Sequence, residues 1–200
     1  MSLLSDRVQK TDQVVVLPAS LEDPSKAVPG LYRVGLVAIC VAIFVFFFSL
    51  ALAYYWRSSH PPFWAPIKLP ETLWVSTALI LASSVTFEAG RRVFRRGMWR
   101  GAQWLFVATA CLGAGFLAAQ ITAWRQLVEQ GAYLSQNPHS SFFYLFTGLH
   151  AAHLVGGLVA LFVLVLGTAK RRELVDVTCY YWHFLGVLWI ALFEILRTRQ

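Results

Sequence analysis

Glu88 stands in an otherwise apolar run, with Arg91 and Arg92 three and four residues further on. On a helix those spacings bring all three side chains to one face. The trio therefore reads either as an ion pair about one turn inside a membrane boundary or as a site that takes up and gives back a proton. An ionisable group within a membrane span is costly enough to be a functional candidate by default. Ser84, one turn earlier, is placed to donate to the carboxyl. His150 and His153, at i and i+3, put two imidazoles on one helix face, and His183 follows on the next apolar run. Such imidazoles ligate a haem or a transition metal when other helices complete the set. Otherwise they exchange hydrogen bonds between helices, the role also expected of Gln120 and Thr147. Asp176, at the head of the last apolar run, suits an N-cap.

Other chemistry is missing from the pattern. Cys40, Cys111 and Cys179 all lie inside apolar runs and form no CxxC pair, so nothing signals zinc, c-type haem or a disulfide framework. Each reads as a small buried hydrophobe. No nucleophile elbow, phosphate-cradling glycine loop or dense set of intramembrane carboxylates is present. The sequence thus predicts no catalytic residue and no metal ligand set.

The elements that must position these residues follow from composition. Apolar types make up 58% of the 200 residues and charged types only 14%, where soluble proteins carry about 25% charged residues. The net charge of +7 comes largely from short segments between apolar runs, which points to a membrane rather than to nucleic acid. Five such runs cover about 34–55, 71–90, 102–124, 141–167 and 177–196. A hydrocarbon core about 30 Å thick needs ~20 helical residues to cross it. Lipid admits only helices or closed barrels, and the runs lack the alternation of barrel strands. The predicted fold is all-α, an integral membrane bundle of five transmembrane helices over residues 31–200. Residues 1–30 are expected to be a polar, mobile tail; no apolar core near Met1 marks a secretory signal.

Basic residues set the orientation. The tail and the connections around 91–101 and 168–176 hold eleven Lys and Arg, against five on the other side. The N-terminus is therefore expected in the cytoplasm and the C-terminus in the periplasm. Tyr54, Tyr55, Trp56, Trp74, Trp99, Trp104 and Trp124 fall near run ends, where amphipathic rings favour the interface. Rows of small residues, Ala110/Ala114/Ala118 and Gly148/Ala152/Gly156, suit close helix packing or a docking face. The first helix, with Phe44, Phe46, Phe47 and Phe48, is expected to face lipid.

Four stretches share a further resemblance. WVSTALILASSVTFEAGRR (74–92), LGAGFLAAQITAW (112–124), SFFYLFTGLHAAHLVGG (141–157) and CYYWHFLGVLWIALF (179–193) resemble, in order, subunit III of the haem-copper oxidases. The match runs from about Leu73 to the C-terminus, and the chain looks like the short five-helix bacterial form. The resemblance implies a multi-pass protein of the bacterial plasma membrane that binds no cofactor itself. Haem and copper would sit in partner subunits. Subunit I would be the main contact, with subunit II and possible further subunits, phospholipid in a cleft and no nucleic acid. The subunit would support proton uptake and stability of subunit I in an oxidase that reduces oxygen to water.

Glu88 stands where the family carries its carbodiimide-reactive glutamate. Gln120, His150, His153, Trp182 and His183 fall on recurring family positions, and Asp176 where many members are acidic. By the same resemblance Arg91, Arg92 and Trp182 are candidate lipid or partner contacts. Gly186 departs from the pattern, replacing an aspartate common in YWHFxDVxW. Competing readings are an accessory protein of a nitric oxide reductase, a haem-b anchor using His150, His153 or His183, and a small transporter. The last is disfavoured because no span is broken by proline and intramembrane charge is sparse.

Overall fold

A computed structural model describes residues 31–59, 68–134, 137–167 and 172–198; the polar tail expected over 1–30 lies outside them. The described residues form five helices: α1 (Leu31–Ser58), α2 (Thr72–Arg95), α3 (Trp99–Glu129), α4 (Pro138–Val165) and α5 (Arg172–Arg197). All five are long and apolar enough to cross a membrane. No strand occurs among the described residues. Most helix ends lie up to several residues beyond the apolar runs, because polar end turns keep helical geometry where hydropathy fades; α2 begins at Thr72 and α4 ends at Val165, just inside theirs.

The helix ends have local causes. Gly97 and Gly131 take positive φ of 83° and 78° just past α2 and α3. At each, two amides turn back onto the last-turn carbonyls: Gly97 N–H to Phe94 and Met98 N–H to Val93, then Gly131 N–H to Val128 and Ala132 N–H to Leu127. This double bond needs a left-handed residue, for which glycine has no Cβ penalty. At the start of α4, Asn137 Oδ1 accepts from the His139 amide at 3.0 Å, and Pro138 occupies the first turn, where its missing donor costs nothing.

Helices α2, α3, α4 and α5 close a four-helix bundle in which neighbours pack as α2–α3, α3–α4, α4–α5 and α5–α2. Helix α1 lies outside it, against α4 and α5 only. The centre is built around Trp182, which is fully buried. Its indole fits because Gly113 on α3 and Gly157 on α4 carry no side chain; a Cβ there would meet the ring at 2.8 and 3.3 Å. Its Nε1 donates to Ser83 Oγ on α2 at 3.0 Å, so one side chain ties four helices together. Trp189 repeats the arrangement one level away, donating to Thr77 Oγ1 at 3.0 Å. Indole fits such places because its large apolar body comes with one donor that finds a partner.

Several expectations change here. Phe44, Phe46 and Phe48 are exposed on α1, as a lipid-facing helix requires, but Phe47 is buried against the His153 ring. Tyr54 is not an interfacial ring either. It is fully buried, with its hydroxyl 3.3 Å from His139 Nε2 and its ring edge-on to Phe142 and Phe146. The small-residue rows do not close the bundle: Ala114, Ala118, Ala152 and Gly156 are exposed. The glycines that admit close contact on α3 and α4 are Gly113 and Gly157, set one residue off those rows, and Gly90 does the same on α2 against Phe106.

Candidate functional site

Glu88 lies two turns before the end of α2, its side chain 23% exposed. Arg91 grips it with two bonds, Nε to Oε2 and Nη2 to Oε1, both 2.8 Å. Arg92 adds Nε to Oε1 at 2.8 Å. Forked guanidinium–carboxylate pairing of this kind is short and strong, so Glu88 is held as a carboxylate in one orientation. The expected bond from Ser84 is not among those formed. Ser84 turns its hydroxyl toward Gly186, where a Cβ would sit 3.2 Å from Oγ. The glycine that replaces the family aspartate thus leaves room beside Ser84, one turn from His183 on the same helix.

Asp176 is not an N-cap, because α5 starts earlier, at Arg172. Asp176 is instead inside the helix and nearly buried. It receives Arg91 Nη1 at 3.3 Å and Arg95 Nη2 at 2.7 Å, which couples α5 to α2. Arg91 therefore serves two carboxylates, and its guanidinium also lies 5.6 Å from the centre of the Tyr180 ring. With its side chain only 14% exposed, it is turned inward rather than toward lipid. Arg92 is 70% exposed and bonds Glu88 through Nε alone. Trp182, expected as a lipid or partner contact, is at the centre of the bundle because the two glycines make space for it there.

The three histidines are not brought together. His150 is fully buried between the rings of Phe116 and Trp189, with centroids at 5.7 and 5.3 Å. Neither of its ring nitrogens has a hydrogen-bond partner among the described residues, nor has Gln120 Oε1. Gln120 spends its amide donor on Ser76 Oγ at 3.0 Å, joining α3 to α2. His153 points to α1, with Nδ1 2.7 Å from the Leu149 carbonyl of its own helix. The interhelical bonds expected of the pair are thus absent, since an i, i+3 offset still turns the rings about 60° apart around the axis. Thr147 does bond between helices, accepting Trp124 Nε1 at 3.0 Å.

His183 sits with Glu88. Its Nε2 is 3.9 Å from Glu88 Oε2 and 3.5 Å from Cys179 Sγ, while the Cys179 thiol faces Glu88 Oε2 at 3.8 Å. Sequence reasoning has Cys179 only as a small buried hydrophobe; it is buried, but its place beside Glu88 and His183 was missed. The only available signal was its place one helical turn before His183, which says nothing until α2 is known to pack there. The result is one polar cluster, Glu88, Arg91, Arg92, Arg95, Asp176, Cys179 and His183, across the α2–α5 seam. A cleft of about 400 Å³ opens beside it, lined by Ser84, Val85, Glu88, Ala89, Arg92 and His183. The cluster can fix a charge pattern at one end of the bundle and hold a carboxylate near the surface.

Comparison with known proteins gives the chain a family. The family model described as cytochrome c oxidase subunit III matches residues 21–197. The chain is 30% identical over 178 residues to a probable cytochrome c oxidase subunit 3 of Mycobacterium tuberculosis, covering 84% of this chain and 88% of that one. It is 31% identical over 182 residues to a cytochrome c oxidase subunit 3 of Corynebacterium diphtheriae, with 82% and 86% covered. Against the cytochrome c oxidase subunit 3 of a Synechocystis species it is 33% identical over 180 residues, with 84% and 76% covered. The match takes in all five helices from end to end, and the chain belongs to the cytochrome c oxidase subunit III family.

Proposed function

We propose that this chain is the non-catalytic subunit III of a respiratory haem-copper terminal oxidase in a bacterial plasma membrane, packed on subunit I beside the entrance of its proton path. The carrying observation is family membership over residues 21–197, joined to a bundle whose charged residues gather at the α2–α5 seam. The N-terminus lies in the cytoplasm, by the count of basic residues, and the seam faces that side. Helices α1 to α5 form one membrane domain. Haem and copper sit in the partner subunits. The held carboxylate of Glu88 shapes the field near the proton entrance, and Arg92 takes a lipid phosphate beside it. A haem-b anchor fits less well, because His150 has aromatic rings packed against it and His183 lies apart at the α2–α5 seam.

Mild-detergent purification of the tagged chain tests the reading. Co-purification of a haem-copper subunit I, with the haem lost on separating the two, is the expected result. Haem remaining with this chain alone would overturn it. For Glu88, the Glu88→Gln enzyme is expected to start within about twofold of the parent rate, since the chemistry is elsewhere. It is then expected to lose activity severalfold sooner over repeated turnovers. Identical decay curves would remove Glu88 from any protective role.

A further inference from the structure

We propose that Glu88, Cys179 and His183 form a binding site for a zinc ion across the α2–α5 seam. Among the described residues this is the one group of three His, Cys, Asp or Glu side chains whose donor atoms lie within 4.8 Å of one another. The sides of the triangle are 3.5 Å from Cys179 Sγ to His183 Nε2, 3.8 Å from Cys179 Sγ to Glu88 Oε2 and 3.9 Å from His183 Nε2 to Glu88 Oε2. A tetrahedral zinc, with Zn–S about 2.3 Å and Zn–N or Zn–O about 2.0–2.1 Å, needs sides of about 3.3–3.5 Å. Closing the triangle takes side-chain movements of only a few tenths of an ångström. Cys179 and His183 are four residues apart on one helix face, a spacing that lets a single helix give two ligands to one metal. Thiolate, imidazole and carboxylate together suit zinc rather than magnesium or calcium, which want oxygen alone.

The arginines leave the needed lone pair open. A carboxylate oxygen accepts about two bonds. Oε1 of Glu88 takes both Arg91 Nη2 and Arg92 Nε, while Oε2 takes Arg91 Nε alone among the guanidinium donors. It is Oε2 that faces Cys179 and His183. Charge also balances: with Cys179 ionised, three negative groups (Glu88, Asp176, Cys179) meet three arginines (Arg91, Arg92, Arg95). The ion would therefore meet a neutral surrounding, as it does among three imidazoles in catalytic zinc sites. Binding replaces the Cys179 thiol proton, which leaves as H⁺ to solvent, and uses His183 in its neutral form. The 400 Å³ cleft at Glu88 and His183 admits the ion and a water as fourth ligand.

The inference rests on ligand chemistry alone and does not depend on the oxidase reading. Its test uses the full-length chain in mild detergent with its co-purifying partners, stripped by chelator and titrated with zinc chloride. Zinc-edge X-ray absorption then reports the ligands. One added equivalent showing a sulfur at about 2.3 Å beside nitrogen and oxygen near 2.0 Å is expected. That sulfur is expected to vanish in Cys179→Ser, with zinc affinity reduced at least about tenfold. His183→Gln should show the same reduction by a change at the other α5 ligand, and bound zinc should slow alkylation of Cys179. Failure of the stripped wild-type complex to take up the additional equivalent would overturn the site. So would uptake without a sulfur ligand, or uptake unaltered by either substitution.

Discussion

The side chains that matter most are those for which the bundle has left no alternative. Gly113 is one such case, since a Cβ there would lie 2.8 Å from Trp182 Cη2 and 3.1 Å from Leu158 Cδ2. A ring held by three helices cannot retreat, so Gly113→Ala is expected to destabilise by about 1–3 kcal/mol. A lowered midpoint in a detergent thermal-unfolding assay would show it. His150 gives a prediction of opposite sign. Two ring nitrogens without partners in a fully buried aromatic setting cost about 1–3 kcal/mol. His150→Phe is therefore expected to raise the unfolding midpoint. If the stabilised variant also loses activity in the assembled enzyme, His150 is retained for work rather than for the fold. At this scale the sequence was only partly legible. Glu88 with Arg91 and Arg92 could be read directly, because helical periodicity alone joins residues three and four apart. Cys179 and the coupling of Asp176 to Arg91 could not, because they depend on which helix packs against α2.

Helices were more legible than their edges or faces. An apolar stretch of membrane length is a large signal, and all five α-helices stand where such stretches occur. Most of their ends were read short because boundary turns such as Arg172–Asp176 at the start of α5 are polar. The assignment of Asp176 as a cap failed for that reason. Small-residue spacing misled for another: rows at four-residue intervals occur on every face of an alanine- and glycine-rich helix, and only the neighbour decides which row is used. The main polar link between α2 and α5 is Asp176 with Arg91 and Arg95. Asp176→Asn removes one charge and leaves Arg91 with Glu88 alone. An expected cost of about 2–3 kcal/mol, below that of a fully buried pair because Arg95 is half exposed, follows. Hydrogen exchange in the last turn of α2 and the first turns of α5 should rise together, while the α3–α4 contact keeps its protection.

For the whole molecule, the bundle turns its close-fitting glycines inward and leaves other small residues outside. A Cβ at Gly148 or Gly156 would meet nothing within 4 Å in this chain, and Ala152 between them is exposed. In lipid such a row permits a second helix to approach closely. Gly156→Leu is accordingly expected to leave the isolated chain's unfolding midpoint unchanged while weakening retention of subunit I during detergent purification. Equal retention would place the partner on another face.

Helix α1 touches α4 and α5 and no other helix. That has a consequence for how the chain is made. The first span leaves the ribosome before either of its two neighbours exists. At about 5–20 residues per second, α1 waits on the order of ten seconds for α5. Until α4 emerges, Phe47 and Tyr54, whose ring partners His153, Phe142 and Phe146 all lie on that helix, lack those partners. The four later helices close around Trp182 without a contact from α1, so the first helix made is not needed for that core. The nascent chain is most open to quality control, or to an insertion factor that shelters a lone span, before its final helix is released.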